Sequence, residues 1–241
     1  MILLHPTGTS ARQMAALARA LPPSWVASCI DRPGWGQEAL PPRSHRAGFY
    51  RAQGAWLATS VAGARPPIDL FAWSSGGLVA LHAALAAPST FGTLYLYEPP
   101  LWSSRDHGDR AQLFRFAMTL LWAALRLERR AAASFWRMVT ARRAGPSGLD
   151  RLDPGQRAEL LAVRGPLVRE LLAGTGEELA GQLGQVAPRV VVLVGGESGP
   201  GARRAAERLA GASPRTEVRV LDGLDHLGPL VSPGAVAGAL G

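Results

Sequence analysis

The amino-acid sequence predicts an α/β fold, a doubly wound and mostly parallel sheet with a helical cap inserted. Short apolar runs that end in turn residues alternate with longer segments rich in Ala, Leu and Arg, as strands and helices do in such domains. The run RVVVLVGG is apolar almost throughout, which is typical of a strand buried on both faces of a parallel sheet. A chain of 241 residues that is 47% hydrophobic is long enough to bury one such core.

Six strands are predicted, and helices fill most of the connections between them. Proline cannot donate to a strand ladder, so Pro99 and Pro100 end the fourth strand. The predicted strands are MILL at 1–4, WVASCI at 25–30, IDLFAW at 68–73, FGTLYLY at 91–97, RVVVLVGG at 189–196 and TEVRVLDG at 216–223. Helices are predicted over 11–21, 47–62, 77–87 and 202–211.

The segment 101–187 is too long for a simple crossover and contains helical patterns of its own. We expect it to form a helical cap on a core made of residues 1–100 and 188–241. Its aromatic side chains would fix the cap to the core or, as a group, line an apolar substrate chamber. They are Trp102, Phe114, Phe116, Trp122, Phe135 and Trp136.

The composition narrows the classes of partner. The formal net charge of +8 comes from Arg alone, because there is no Lys among the 26 basic residues. These arginines are spread along the chain rather than clustered with aromatic residues, so nucleic-acid binding is not predicted. The single cysteine, Cys29, excludes an internal disulfide framework and gives little support for a metal site. We expect a small-molecule substrate, no metal and no cofactor.

The N-terminal run MILLHPTG has no basic segment and too short an apolar stretch for a signal peptide. No apolar stretch reaches the roughly 18 to 20 residues that a membrane span requires. The most apolar run of the cap, AMTLLWAALRL, is about half that length, and it is interpreted as a surface or cap helix. We therefore expect a cytoplasmic protein with no membrane span.

The run FAWSSGG, which follows the third predicted strand, contains two adjacent serines. A serine on a sharp strand-to-helix turn brings the residues two before and two after it close together, so both must be small. For Ser74 these are Ala72 and Gly76, whereas for Ser75 one of them would be Trp73. An indole cannot fit there, so Ser74 is the predicted nucleophile.

Several polar residues fall just after predicted strands, where parallel sheets bind their ligands. A serine hydroxyl needs a base to take its proton, and the oxyanion that develops needs fixed N–H donors. His226 follows the last strand and the glycine-containing turn DGLDH, and it is the predicted base. The polar residues at these strand ends are His5, Asp31, Ser74, Glu98, Glu197 and His226.

The motifs HPTG, DRPGWG, AWSSGG, YEPP, GGES and DGLDH follow successive strands in an order that resembles the α/β-hydrolase fold. The resemblance covers essentially the whole chain, although the chain begins at the first strand and lacks the leading strands that the family usually has. It implies that AWSSGG is the nucleophile elbow and that HPTG matches the His-Gly-x-Gly loop. The oxyanion hole would then be formed by the amides of Thr7 and Ser75. Asp31 and Arg32 would hold a loop at the entrance of the active site and take no part in catalysis.

The acidic member of a catalytic triad is the open point of this comparison. In GGES, Ser198 stands where the family's usual Asp would be, and Glu197 lies one place early. Some members take their acid from the strand after the elbow helix, where this chain has Glu98. We favour Glu98, because a charged residue at the end of an apolar strand is poorly solvated unless it is paired. Glu197 remains the alternative.

These observations predict a serine hydrolase that cleaves an ester or thioester of a small apolar substrate through an acyl-enzyme. Two alternatives stay open. One is an enzyme of the same fold that carries out C–C cleavage, lyase or cyclisation chemistry in a biosynthetic pathway. The other is a catalytically impaired binding protein, which the absent Asp and the replacement of a motif glycine by Pro6 would favour.

Overall fold

The computed structural model describes residues 1–36, 48–101, 110–162, 165–174, 179, 181–182 and 188–241. Within them, six strands form one sheet in the order β2-β1-β3-β4-β5-β6, and every neighbouring pair is parallel. The predicted α/β sheet is thus confirmed. The strands are β1 (Ile2–Leu4), β2 (Ser28–Ile30), β3 (Ile68–Trp73), β4 (Phe91–Tyr97), β5 (Arg189–Gly195) and β6 (Thr216–Leu221).

Helices connect the strands, and several of them lie between β4 and β5. We call residues 101–187 the insertion. The helices outside it are α1 (Ala11–Ala20), α2 (Phe49–Ser60), α3 (Gly76–Ala86), α9 (Pro200–Ala212), α10 (Gly228–Val231) and α11 (Pro233–Gly238). Those of the insertion are α4 (Arg110–Ala124), α5 (Glu128–Val139), α6 (Gly148–Arg151), α7 (Pro154–Ala162) and α8 (Leu167–Leu171).

Side chains of successive strand residues enter two different apolar clusters, one on each face of the sheet. In β3, Leu70 and Ala72 belong to one cluster, whereas Phe71 and Trp73 belong to the other. This alternation explains why the strand sequences are apolar almost throughout. The second strand is shorter than predicted, because the amide of Trp25 bonds to the carbonyl of Pro22 in a turn before it.

The strand order places a crevice beside β1. The chain leaves β1 for β2 on one side and later returns to β3 on the other, so the loops that follow β1 and β3 diverge. Parallel sheets bind ligands at such a switch point, outside the carboxyl ends of the strands. Among the described residues, no helix is long and apolar enough to cross a membrane.

Candidate active site

Ser74 lies on the turn between β3 and α3 with a φ of 54°, a left-handed conformation that is costly for a residue with a side chain. Its amide donates to the carbonyl of Tyr97 over 2.8 Å, which fixes the turn to β4. A Cβ atom on Gly76 would lie 3.0 Å from the carbonyl oxygens of both Leu4 and His5. Only a glycine fits there comfortably, as the steric argument from the sequence requires.

The structure brings His226 and Glu98 together. The imidazole Nδ1 lies 2.7 Å from Glu98 Oε2, and both side chains are buried. Glu98 also has a positive φ, of 47°, so a strained backbone carries this carboxylate as well as Ser74. The other imidazole nitrogen, Nε2, is buried and has no hydrogen-bond partner in the part of the chain that the structure describes.

The second oxygen of Glu98 is held by two donors from the end of β5. Glu98 Oε1 accepts the amide of Gly195 over 2.8 Å and the hydroxyl of Ser198 over 2.5 Å. Hydrogen bonds to a carboxylate stabilise its charged form. Ser198, which stands where the resemblance places an Asp, thus contacts the glutamate that faces the histidine.

Glu197, the alternative acid, has a different partner. Its carboxylate lies 3.1 Å from the guanidinium of Arg142, and its side chain is 42% exposed. The same guanidinium contacts Asp225 over 2.9 Å. Arg142 of the insertion is thus bound both to the loop after β5, through Glu197, and to the loop that carries His226, through Asp225. The structure does not bring the Glu197 carboxylate to the imidazole.

A tyrosine side chain from strand β4 holds the loop that carries His226. The hydroxyl of Tyr97 donates to the carbonyl of Asp225 over 2.6 Å. Burial, followed by the charge of Glu98, raises the pKa of Tyr97 well above its usual range. The phenol stays protonated as a donor, and the residue before His226 is held in place.

Thr7 and Ser75, the predicted oxyanion residues, are in direct contact. The amide of Thr7 donates to Ser75 Oγ over 2.8 Å, and the Thr7 hydroxyl lies at the same distance from it. The two residues are thus brought together, with the Thr7 amide engaged by a side chain. A substrate oxygen that uses this amide must share it or displace the Ser75 hydroxyl.

Two residues of this region, Trp35 and Glu170, were missed in the sequence, and Arg32 was expected only to hold the entrance loop. Arg32 is fully buried, and its Nη1 lies 2.8 Å from Glu170 Oε1 of helix α8. Its Nη2 donates to Ser75 Oγ over 3.2 Å. The indole nitrogen of Trp35 donates to the second oxygen of Glu170 over 2.8 Å. In the sequence, the only indication was that Glu170 stands in a short helical segment at a position where an apolar, buried residue would be expected.

His5 is kept neutral beside this network. Its Nδ1 lies 2.9 Å from the carbonyl of Pro6, and its Nε2 accepts the amide of Arg32 over 3.0 Å. Burial, and then the nearby guanidinium, hold the pKa of His5 well below its usual range. Both ring nitrogens are occupied, so His5 orders the loop after β1 and is not available as a base.

A cavity of about 540 Å³ lies between the loop after β1 and helices of the insertion. Its wall includes Gly8, Trp35, Ala132, Phe135, Trp136 and Leu160, and Arg126, Glu128 and Arg169 add charged groups. We call this cavity the chamber.

The predicted aromatic lining is only partly found at the chamber. Phe135 and Trp136 line it. Phe114 is instead 66% exposed. The guanidinium carbon of Arg130 lies over the ring of Trp122, 5.2 Å from its centroid. Phe116 packs at the edge of a core cluster, and Trp102 lies outside the described residues. The positions of these rings in the sequence did not show which of them face inward.

The parallel sheet, the strained serine turn and the buried His–Glu pair together define the hydrolase class of α/β proteins. A sequence profile of the alpha/beta hydrolase family matches residues 1–239, and the chain belongs to that family. It is similar to pimeloyl-[acyl-carrier protein] methyl ester esterase of Xylella fastidiosa strain M12, with 29% identity over 131 residues. That alignment spans 50% of this chain and 46% of the esterase, so the chain matches about half the length of this curated relative.

Solved structures show the same fold over nearly the whole chain. MenH from S. aureus superposes with a TM-score of 0.78 at 15% identity, covering 99% of this chain and 90% of that one. A bromoperoxidase from Bacillus anthracis superposes with a TM-score of 0.77 at 16% identity, covering 99% and 89% of the two chains. The family and the esterase relative support a hydrolase, whereas these structures bear on the fold alone.

Proposed function

We propose that this protein is a serine hydrolase that cleaves an ester or thioester of a small, largely apolar substrate. In this mechanism, Ser74 Oγ attacks the carbonyl carbon and its proton passes to His226 Nε2. The carbon–oxygen or carbon–sulfur bond then breaks, and the same proton leaves with the alcohol or thiol. Water hydrolyses the acyl-enzyme by the same sequence of steps, with His226 again as the base.

The single observation that carries the proposal is the buried contact between His226 Nδ1 and Glu98 Oε2. When Nδ1–H donates to the carboxylate, the lone pair of the ring is on Nε2, the nitrogen that has no other partner among the described residues. The carboxylate also stabilises the imidazolium that forms when the serine proton is taken. Glu98 is thus the proposed acid of a catalytic triad.

The amides of Thr7 and Ser75 are the proposed oxyanion donors. Ser75 directly precedes helix α3, where unpaired N–H groups and the helix dipole favour negative charge. The loss of one such donor typically costs about 3 to 4 kcal/mol of transition-state stabilisation. Displacement of the Ser75 hydroxyl from the Thr7 amide belongs to this step.

The chamber supports the choice of an apolar substrate. Alanine, leucine and aromatic side chains form most of its wall, directly beside the loop that carries Thr7. Helices of the insertion form most of that wall. We infer that residues 101–187 act as a cap on a core of residues 1–100 and 188–241. The name of the Xylella relative, a methyl ester esterase, supports an ester as the group that is cleaved.

The test is labelling with a fluorophosphonate probe, which reacts with activated serines. We expect the wild type to be labelled and Ser74→Ala to be unlabelled, whereas Ser75→Ala, which keeps the backbone amide at position 75, should still be labelled. The adjacent serine is the matched control, because it shares the turn but lacks the proposed role of nucleophile. Labelling that survives in Ser74→Ala would reject the assignment, and an unlabelled wild type would favour the binding-protein alternative.

A panel of p-nitrophenyl esters of increasing acyl length tests the reaction type. We expect turnover with a preference for acyl chains that fill the chamber. A labelled enzyme that releases no p-nitrophenol from any ester would instead favour the lyase or cyclisation alternative.

A further inference from the structure

The solvent-facing side of helix α4 is apolar, which is the reverse of what a surface helix normally shows. Of the eight exposed large apolar residues in the described part of the chain, five lie between residues 113 and 127. Among the α4 positions whose side chains the structure describes, every exposed residue is apolar. The most deeply buried of these positions is instead Thr119, whose hydroxyl donates to the carbonyl of Arg115.

The exposed residues of α4 form one continuous stripe. They fall within a sector of about 120° around the helix axis, because successive helical residues are about 100° apart. The amide of Leu125 bonds to the carbonyl of Leu121, so Leu125 continues the last turn. The stripe is about 18 Å long, at about 1.5 Å per residue. We call it the apolar stripe, and it consists of Leu113, Phe114, Ala117, Leu121, Ala124 and Leu125.

Arginines border the apolar stripe. Two grooves lie between α4 and α5, one with Phe114 of the stripe in its wall and the other beside the C-terminal end of the stripe. The described walls of these grooves contain one acidic residue, Glu128, and five arginines. The arginines are Arg115, Arg126, Arg129, Arg130 and Arg137. Arg137 is paired with Asp150, and the band as a whole keeps a positive charge.

The chemistry of this surface does not fit a protein partner well. A second copy of the chain in a two-fold contact would place the same arginines opposite each other, and like charges that face across an interface are unfavourable. Interfaces between different proteins carry about one hydrogen bond per 100 to 200 Å². The described side chains of the apolar stripe can form none. A bilayer needs no directional partner for an apolar side chain, and its phosphates are well matched to guanidinium groups.

We propose that the apolar stripe and the arginines beside it form a docking surface for an anionic lipid bilayer. Helix α4 lies in the plane of the interface, with the stripe among the outer parts of the acyl chains and the arginines on lipid phosphates. Ala123 and Arg126 also belong to the chamber wall, so the docking surface lies beside the chamber. Docking requires no bond to be cleaved, and the inference is independent of the proposed function.

The experiment is co-sedimentation with vesicles of phosphatidylcholine alone and of phosphatidylcholine with an equal part of phosphatidylglycerol. We expect the wild type to bind the mixed vesicles, to bind phosphatidylcholine vesicles much more weakly, and to be partly released by salt. Leu121→Asp should lower the partition coefficient on mixed vesicles about tenfold or more, because a buried leucine is lost. Leu125→Asp should do the same, and circular dichroism checks that both variants fold.

Val26→Asp is the matched control, because Val26 is an exposed apolar residue outside the apolar stripe. It introduces the same negative charge and should leave the partition coefficient nearly unchanged. Arg129→Gln tests the charged part of the surface. It should weaken binding to mixed vesicles about fivefold and leave binding to phosphatidylcholine vesicles unchanged.

Four results would overturn the proposal. They are no binding to mixed vesicles, equal losses in Leu121→Asp and Val26→Asp, unchanged binding in Leu121→Asp, and a lipid-free dimer that Leu121→Asp dissociates. Equal losses would reduce the binding to attraction by the net positive charge. Unchanged binding in Leu121→Asp would leave the apolar stripe to a protein partner. The dimer, which sedimentation velocity detects, would assign the apolar stripe to a second copy.

Discussion

Two buried glutamates, Glu98 and Glu170, occupy opposite sides of the candidate site and differ in their partners. Glu98 ends a strand of the core and faces His226, whereas Glu170 belongs to the insertion and faces Arg32. Both are more than nine-tenths buried. An imidazole can gain and lose a proton at neutral pH, whereas a guanidinium stays charged. The first pair is therefore suited to proton transfer and the second to holding the insertion on the core.

The two glutamates also differ in backbone conformation. Glu98 has a positive φ, whereas Glu170 lies within the regular turns of helix α8. Strained backbone persists at sites where the direction of a side chain matters. Burial of a charged residue does not by itself distinguish a catalytic residue from a structural one, but the partner and the backbone conformation do.

Replacing Glu98 should have the largest effect on activity. Glu98→Gln keeps the shape of the side chain and removes the charge that orients and stabilises the imidazole. We expect kcat for a p-nitrophenyl ester to fall by about 10⁴-fold, as it does for a comparable change of the triad acid in serine proteases. The variant should still fold, which circular dichroism checks. Retained activity here, with loss in Glu197→Gln, would reverse the choice of acid.

Replacing Glu170 should mainly reduce stability. Glu170→Gln leaves the buried guanidinium of Arg32 without its counter-charge, and breaking a buried pair in this way costs about 3 to 5 kcal/mol. Urea unfolding measures the loss. Glu159→Gln, which breaks an exposed pair with Arg12, is the control and should cost at most about 1 kcal/mol. If Glu170→Gln unfolds like the wild type but loses activity as Glu98→Gln does, the two glutamates do not differ as argued.

Replacing Ser198 should lower activity less than replacing Glu98, and it should act through its hydrogen bond to Glu98. Ser198→Ala removes one of the donors to Glu98 Oε1. A hydrogen bond to a charged group contributes about 1.5 to 3 kcal/mol, so we expect kcat to fall roughly 10- to 100-fold with KM nearly unchanged. Ser198→Thr restores the hydroxyl and should recover most of the loss. A fall of similar size in Ser198→Thr would point to packing rather than to the hydrogen bond.

Glu197→Gln should have the smallest effect. Its carboxylate is partly exposed, and its partner Arg142 keeps a second carboxylate, that of Asp225. We expect a loss of stability of about 1 kcal/mol or less and unchanged kcat. Thermal unfolding and ester hydrolysis check both expectations. A large loss of kcat would place Glu197 in the reaction after all.

The sequence by itself determined the sheet and the serine turn. Apolar runs predicted all six strands, and the small residues Ala72 and Gly76 selected Ser74 over Ser75 as the residue at the turn. Both inferences depend on residues within a few positions of one another, where side-chain periodicity and steric limits act directly. His226 was likewise proposed from the strand and the turn that precede it.

Only the tertiary structure decided how these residues are partnered. Sequence order left Glu98 and Glu197 as alternatives, and nothing in it joined Arg32 to Glu170 or engaged the Thr7 amide with Ser75. His226 and Glu98 are 128 positions apart, and Arg32 and Glu170 are 138 apart. Hydrogen bonds and ion pairs depend on distances of a few ångströms, and across such separations those distances are set by how strands and helices pack, which local patterns do not specify.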